Sequence, residues 1–178
     1  MKPKSEADSR RDCTGPTLSD GTSPRLGSPQ PPKKAPAMPD PYNLRRFVDA
    51  QQPVYANVVA ELKQGSKRSH WIWFIFPQVI GLSFSATAQR FAIASREEAS
   101  AYLAHDILGP RLFECTRLVL DVKGKSIRDI LGPPDDLKFR SSMTLFGEVS
   151  DDPIFGRAIA KYYPDGKDQA TLDILTAA

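Results

Sequence analysis

KRSHWIWFIFPQ, residues 67–78, joins a cationic cluster to the densest aromatic run of the chain. Every residue from Trp71 to Phe76 is apolar, so hydrophobic periodicity does not distinguish a buried strand from a buried helix. Ser69 can cap a helix, Pro77 can end one, and no other segment offers a convincing strand partner. We therefore predict a short, fully buried helix preceded by a charged segment.

Helical signals continue on both sides of this stretch. Asp40 and Pro41 form a typical helix start, and the sequence SREE at residues 95–98 is a capping box. The clearest amphipathic pattern steps by four and three residues through Leu108, Leu112, Cys115, Val119 and Val122. The predicted fold class is all-α, a compact single-domain bundle of about seven to eight short helices with short connections.

Residues 1–39 differ in composition from the rest of the chain. They contain no aromatic residue, hold half of the 16 prolines and are rich in Ser, Gly and Lys. Such a segment buries too little apolar surface to offset the entropy lost on ordering, so we predict a disordered Pro/Ser/Lys-rich tail over residues 1–39. Residues 40–178 are predicted to form the all-α globular domain.

Composition and charge argue against several classes of function. The formal net charge of +3 leaves the globular part near neutrality, so no nucleic acid partner is expected. No apolar run approaches the roughly 20 residues that span a bilayer, and no secretory signal core is found, so we predict no membrane partner and a cytoplasmic location. The two cysteines, Cys13 and Cys115, lie far apart, and we predict no disulfide, no metal and no cofactor. The oligomeric state is left open.

The charged segment at the start of the aromatic run, residues 67–71, contains the first candidate ligand-binding residues, Lys67, Arg68, His70 and Trp71. The cations can hold a phosphate or carboxylate, and Trp71 or Trp73 can stack on a planar ring. A histidine can donate or relay a proton near neutral pH, so His70 is the candidate catalytic residue, although no reaction is assigned to it. In the structural alternative, the tryptophans are core residues and the cations a charge pair at a helix end.

A second group of candidates lies on the helix predicted for residues 135–146. Lys138, Ser141 and Ser142 fall within one turn of each other, with Arg140 to one side. Hydroxyls and cations grouped in this way can bind an anion. In the structural alternative, the serines allow close helix packing.

Five segments together resemble one known family. They are DPYNLRRFVDAQ (40–51), KRSHWIWFIFPQ (67–78), YLAH (102–105), LGPRL (108–112) and DLKFRSSMTLF (136–146). The chain resembles the family named domain of unknown function 1810, which implies a mainly α-helical single domain and supports a helix at residues 71–76. The resemblance implies no established activity. Some members are labelled calpastatin, but inhibitors of that type are disordered repeats, whereas this chain is globular and repeat-free.

The segment FVDAQ, residues 47–51, is also similar to a helix of the NADAR family of ADP-ribose-processing proteins. That helix has an aromatic residue followed by x-x-Ala and polar residues, with a Glu-His pair just before the aromatic residue. This chain has Arg45 and Arg46 in place of that pair. The resemblance implies an ADP-ribose-like ligand and carries no catalytic residue over.

Three functions remain open from the sequence. The first is binding of an anionic nucleotide-like or ADP-ribose-like small molecule in a pocket edged by the two cationic segments. The second is a protein-interaction module without a small-molecule site. The third is a hydrolase acting on a glycosidic or phosphate ester bond, which needs a carboxylate facing His70, with Asp49, Glu61 and Glu114 as candidates. The first predicts that residues 67–73 and 138–142 converge on one concave pocket.

Overall fold

The computed structural model describes residues 40–177. Within that range the chain is helical, which confirms the predicted all-α fold. Its helices are α1 (Arg45–Gln51), α2 (Tyr55–Lys63), α3 (Ile72–Ile75), α4 (Ala86–Arg90), α5 (Arg96–Ala104), α6 (Leu108–Asp121), α7 (Ile127–Leu131), α8 (Asp135–Gly147), α9 (Ile154–Tyr162) and α10 (Gln169–Ala177). No helix between residues 40 and 177 is both long and apolar enough to span a bilayer. The predictions for residues 1–39, including the disordered tail and Cys13, lie outside the described residues.

The aromatic run forms α3, as predicted, and α3 lies in the interior. Trp71 and Phe76, which flank it, are both buried. The Phe76 ring meets Phe139 of α8 edge-on, with centroids 4.8 Å apart. α3 also packs against α1 and α6. Trp73 and Phe74 are half-buried, so the helix is less enclosed than the full burial predicted, but no residue of the run is exposed, which explains why its sequence shows no amphipathic period.

Helix α8 is the central element of the domain. It packs against α3, α5, α7, α9 and α10, so its second half is buried all round. Phe139, Met143 and Phe146 point into the core. The first turn of α8 stays at the surface, where it follows the break at Pro133 and Pro134. This half-buried placement lets one helix anchor the core and present polar side chains.

The first helix begins later than its sequence signal predicts. α1 starts at Arg45, and the Asp40 carboxylate accepts hydrogen bonds from the backbone amides of Leu44, at 2.7 Å, and Arg45, at 2.9 Å. Between them, Asn43 has a positive φ of 51°. Asp40 therefore satisfies amides at the helix start, as a cap does, but across an intervening turn.

The structure has ten helices in its described part, more than the seven to eight predicted. One that the sequence pattern missed is α4, which is short, polar and capped by Ser85, whose hydroxyl accepts from the Ala88 amide at 3.2 Å. A parallel bridge joins Val79 to Ile93. It holds together the two ends of the segment that contains α4.

Cys115 provides a test of the core that needs no ligand. The thiol is free and buried, and burial raises its pKa to about 12. Because the thiolate is the reactive form, Cys115 in a Cys13→Ser variant should react with Ellman's reagent at pH 8 at least about 100-fold more slowly than it does in urea. Absorbance at 412 nm follows the reaction. A fast reaction in native buffer would show that the α6 core opens readily.

Candidate functional site

The two cationic segments meet at one carboxylate. Lys67 Nζ lies 2.6 Å from Asp135 Oδ2, and Lys138 Nζ lies 2.7 Å from Asp135 Oδ1. Lys67 reaches this point because its own backbone amide donates to the carbonyl of Ile130 at 2.7 Å. Asp135 and Lys138 stand in the first turn of α8. We call this group the Lys-Asp-Lys triad.

Both ammonium groups of the triad also lie over indole rings. Lys67 Nζ is 5.2 Å from the ring centre of Trp71, and Lys138 Nζ is 4.5 Å from that of Trp73. An ammonium in this position is attracted by the negative face of the ring. Since Trp71 is only 1% exposed, it is a core residue. The indoles therefore hold the lysines in place, which differs from the predicted role of Trp71 as a stacking surface for a ligand.

The triad keeps its charges in a poorly solvated place. The Lys67 side chain is 7% exposed, and those of Asp135 and Lys138 are 14% and 16% exposed. Burial by itself would raise the pKa of Asp135, but hydrogen bonds from Lys138 and Lys67 outweigh it and hold the pKa below its ordinary value. One carboxylate cannot neutralise two ammonium groups, so the triad carries an excess positive charge.

Lys138 faces a surface groove of about 320 Å³, which we call the α8 groove. Its walls are the segment after α3, the start of α8 and the residue before α10: Gln78, Leu82, Ser83, Pro134, Leu137, Lys138, Ser141 and Asp168. The volume lies at the lower end of the range for small-molecule sites.

The polar groups of the α8 groove differ in their remaining hydrogen-bonding capacity. Asp168 caps α10: its Oδ2 accepts from the amide of Thr171 at 3.2 Å and from the Thr171 hydroxyl at 2.5 Å, and its Oδ1 forms no bond within residues 40–177. The Ser141 hydroxyl donates to the carbonyl of Leu137 at 3.2 Å and keeps its acceptor lone pairs. The groove thus offers a cation, a carboxylate, the hydroxyls of Ser83 and Ser141 and the Gln78 amide.

The other predicted site residues do not line the α8 groove. Arg68 and His70 are exposed, and neither lines the groove, although they are sequence neighbours of Lys67 and Trp71. Arg140 donates to the carbonyls of Gly166, at 2.9 Å, and Lys167, at 3.2 Å, and so fixes the approach to α10. Ser142 is fully buried, and its hydroxyl has no partner among the described residues. Of the predicted ligand-binding residues, Lys138 and Ser141 line the groove, whereas Lys67 is linked to Lys138 through Asp135 and lies over Trp71.

Glu61 organises the loop that carries Lys67. Its carboxylate accepts from the amides of Arg68 and Ser69, from the Ser69 hydroxyl and from the Trp71 indole, at 2.6–3.2 Å. Burial would raise the pKa of Glu61, but these donors together lower it to about 2. Glu61 is therefore a structural anion. The sequence offers no local signal for this role, because the donors lie on a different segment.

The carboxylates proposed to face His70 have other partners. Glu61 is occupied as described, Asp49 pairs with Arg45 on the surface at 3.5 Å, and Glu114 accepts from the Tyr55 hydroxyl at 2.5 Å. No general acid and base pair at His70 emerges from these contacts.

The helix that resembles the NADAR family uses its polar residues inside the domain. Gln51 is buried and donates to the carbonyl of Phe74 at 2.7 Å and to the Tyr102 hydroxyl at 3.0 Å. Arg46 pairs with Glu98 at 2.6 Å. These side chains serve packing, so α1 contributes nothing to the α8 groove.

Comparison with known proteins identifies the family of the chain. Residues 41–175 match the family described as Protein of unknown function (DUF1810), and the chain belongs to that family, as its motifs predict. The crystal structure of the conserved hypothetical protein Rv1873 from Mycobacterium tuberculosis is similar, with 56% sequence identity and a TM-score of 0.77. The similarity covers 78% of this chain and 100% of that one. No curated protein matches the chain.

Proposed function

We propose that the α8 groove binds a small anionic ligand of nucleotide-like or ADP-ribose-like chemistry. The observation that carries this proposal is the position of Lys138, which belongs to a triad with excess positive charge and lines a groove with four other polar side chains. The triad has two ammonium groups for one carboxylate, which favours an anionic partner at Lys138, although Asp168 in the same lining supplies a second carboxylate. A phosphate is such a partner, and Lys138 is the group that binds it.

Asp168 sets the chemistry of the other end of the ligand. Its carboxylate would repel a phosphate, so the anionic group belongs beside Lys138. Hydroxyl groups suit Asp168, because a carboxylate accepts hydrogen bonds from vicinal sugar hydroxyls in known nucleotide sites. Gln78 and Ser141 can donate to or accept from the same hydroxyls. A sugar phosphate satisfies both ends, which supports the nucleotide-like class over a simple inorganic anion.

The contacts of His70 and of its three candidate carboxylates do not support hydrolysis at His70. His70, the candidate catalytic residue, does not line the α8 groove, and the three carboxylates considered for it have other partners. A hydrolase needs a positioned base or nucleophile within hydrogen-bond reach of its substrate.

Binding and its loss in a Lys138→Gln variant test this proposal. The wild-type protein should be stabilised against heating by 1 mM ADP-ribose or AMP, by roughly 1.4 kcal/mol if the Kd is near 0.1 mM. Lys138→Gln removes a charged donor and should weaken binding at least about tenfold, as measured by calorimetry. Its fold should be retained, because Asp135 keeps its ion pair with Lys67.

Lys123→Ala is the matched control. Lys123 is exposed and lies on a different surface cavity, beside Lys63 and Lys125. It should bind ADP-ribose and AMP as the wild type does. If the wild type binds neither compound at millimolar concentration, or if Lys123→Ala loses binding and Lys138→Gln does not, the α8 groove is the wrong site.

A further inference from the structure

An aromatic side chain stands exposed beside the α8 groove. Phe84 is 85% exposed, and it directly follows Ser83, which lines the groove. Every other Phe, Trp or Tyr between residues 40 and 177 is buried or half-buried. Leaving a phenyl ring in water forfeits a large part of the stabilisation that its burial would give. Packing within residues 40–177 gives no reason for this exposure.

Backbone hydrogen bonds before Phe84 and a helix cap after it fix the loop that carries this residue. Before it, the amide of Ile80 donates to the carbonyl of Ile93, and the amide of Ile93 donates to the carbonyl of Gln78, both at 2.9 Å. After it, Ser85 caps α4. The loop of residues 80–85 is thus fixed at each end, and Phe84 stands between a groove residue and a helix cap.

The indoles near the groove do not provide a stacking surface. Trp71 is buried, and the face of Trp73 carries the ammonium of Lys138. Leu137, in the first turn of α8, is 58% exposed and lines the groove. Phe84 follows the lining residue Ser83 in sequence, so exposed apolar side chains belong to two of the segments that bound a groove with several polar lining residues. A flat apolar ring attached to a polar, anionic group fits this distribution.

We propose that Phe84 stacks on the planar ring of the ligand and makes the site selective for base-bearing nucleotides over bare sugar phosphates. This inference rests on the proposed function, since it assigns the ring of the same ligand. Lys138 then binds the phosphate, Asp168 and Gln78 the sugar hydroxyls, and Phe84 the base. Stacking on an aromatic side chain tolerates different bases, because every base has a π face.

The test compares two ligands that share a phosphate and a ribose but differ in the base. AMP should bind wild-type protein about tenfold or more tightly than ribose 5-phosphate, by calorimetry at equal ionic strength. Phe84→Ala should remove that difference and leave the affinity for ribose 5-phosphate unchanged. The control is Ile107→Ala, which shortens an apolar side chain that is 38% exposed and does not line the groove. It should bind both ligands as the wild type does.

The outcomes separate the two proposals. If both ligands bind equally well and Phe84→Ala changes neither affinity, the stacking role is wrong and the proposed function stands. If neither ligand binds, both proposals fail. If Phe84→Ala leaves ligand affinities unchanged but lowers the sedimentation coefficient of the protein, Phe84 belongs to a contact between protein chains, and the stacking role is overturned.

Discussion

Glu61→Ala is expected to lower the free energy of unfolding by roughly 3 kcal/mol at pH 7. The substitution removes an acceptor used by four donors, including the Trp71 indole and the backbone amides of Arg68 and Ser69. Buried donors without a partner lose the compensation for their desolvation. Urea denaturation monitored by tryptophan fluorescence measures the change.

Glu61→Gln separates the charge of this residue from its hydrogen bonds. The amide oxygen can keep the three bonds now made to Oε2, and the amide nitrogen can donate to the Ser69 hydroxyl. We expect a loss smaller than that of Glu61→Ala, because the hydrogen bonds are kept although the charge is removed. Equal losses in the two variants would mean that the ionic charge, not the hydrogen-bond geometry, holds the loop.

The same network predicts how stability depends on pH. The pKa of Glu61 is about 2 in the folded protein, below its ordinary value of 4.5, so protonation is easier in the unfolded chain. The contribution of Glu61 to stability is therefore complete above about pH 5 and is lost as the pH falls through 4.5 towards 2. Glu61→Gln should show a shallower loss of stability across that window. Parallel pH curves for the two proteins would contradict the assignment.

Gly109→Ala is expected to be the most damaging single methyl addition in the described chain. A Cβ at Gly109 would lie 2.0 Å from the carbonyl oxygen of Leu103, far inside van der Waals contact. The clash involves backbone on both sides, because α5 ends and α6 begins within a few residues, and no side-chain rotation relieves it. We expect a loss of at least about 3 kcal/mol, or failure to accumulate as folded protein.

Gly156→Ala is the matched control for that substitution. Gly156 lies inside α9 with open space around its position, so a Cβ meets no neighbour within 4 Å. Replacing a helical glycine by alanine should stabilise the protein by about 0.5–1 kcal/mol. Thermal unfolding should show a melting temperature below that of the wild type for Gly109→Ala and above it for Gly156→Ala. A Gly109→Ala protein that melts within about 2 °C of wild type would show that α5 and α6 can move apart freely.

The sequence determines α3 more fully than it determines the site. The aromatic run and the proline at its end predict a buried helix, because no polar side chain in the run requires solvent and Pro77 cannot continue a helix. The sequence does not predict in the same way where the ammonium groups of Lys67 and Lys138 lie. Lys67 and Lys138 meet through Asp135, a contact between distant segments that only the packed fold creates.

The serines of α8 show that helical spacing alone does not predict which residue lines the groove. Ser141 and Ser142 lie on either side of the direction of Lys138, so helical spacing favours neither of them as a groove residue. The surrounding helices decide: Ser141 lines the groove, whereas Ser142 is enclosed in the core. Asp168 could be placed as a helix cap from its Thr171 partner three residues later, but nothing local places it in the same groove as Lys138.

The α8 groove requires the whole domain, because three separate segments of the chain form its walls. Its walls come from the segment that ends at Ser83, from the first turns of α8 and from Asp168, which also caps α10. A chain shortened before Asp168 loses a wall and the cap of its last helix together. A chain begun after Gln78 lacks both Lys67 and the indole that holds Lys138. Dissection into fragments therefore cannot preserve this surface, and any segment inserted into the protein is best tolerated away from these three stretches.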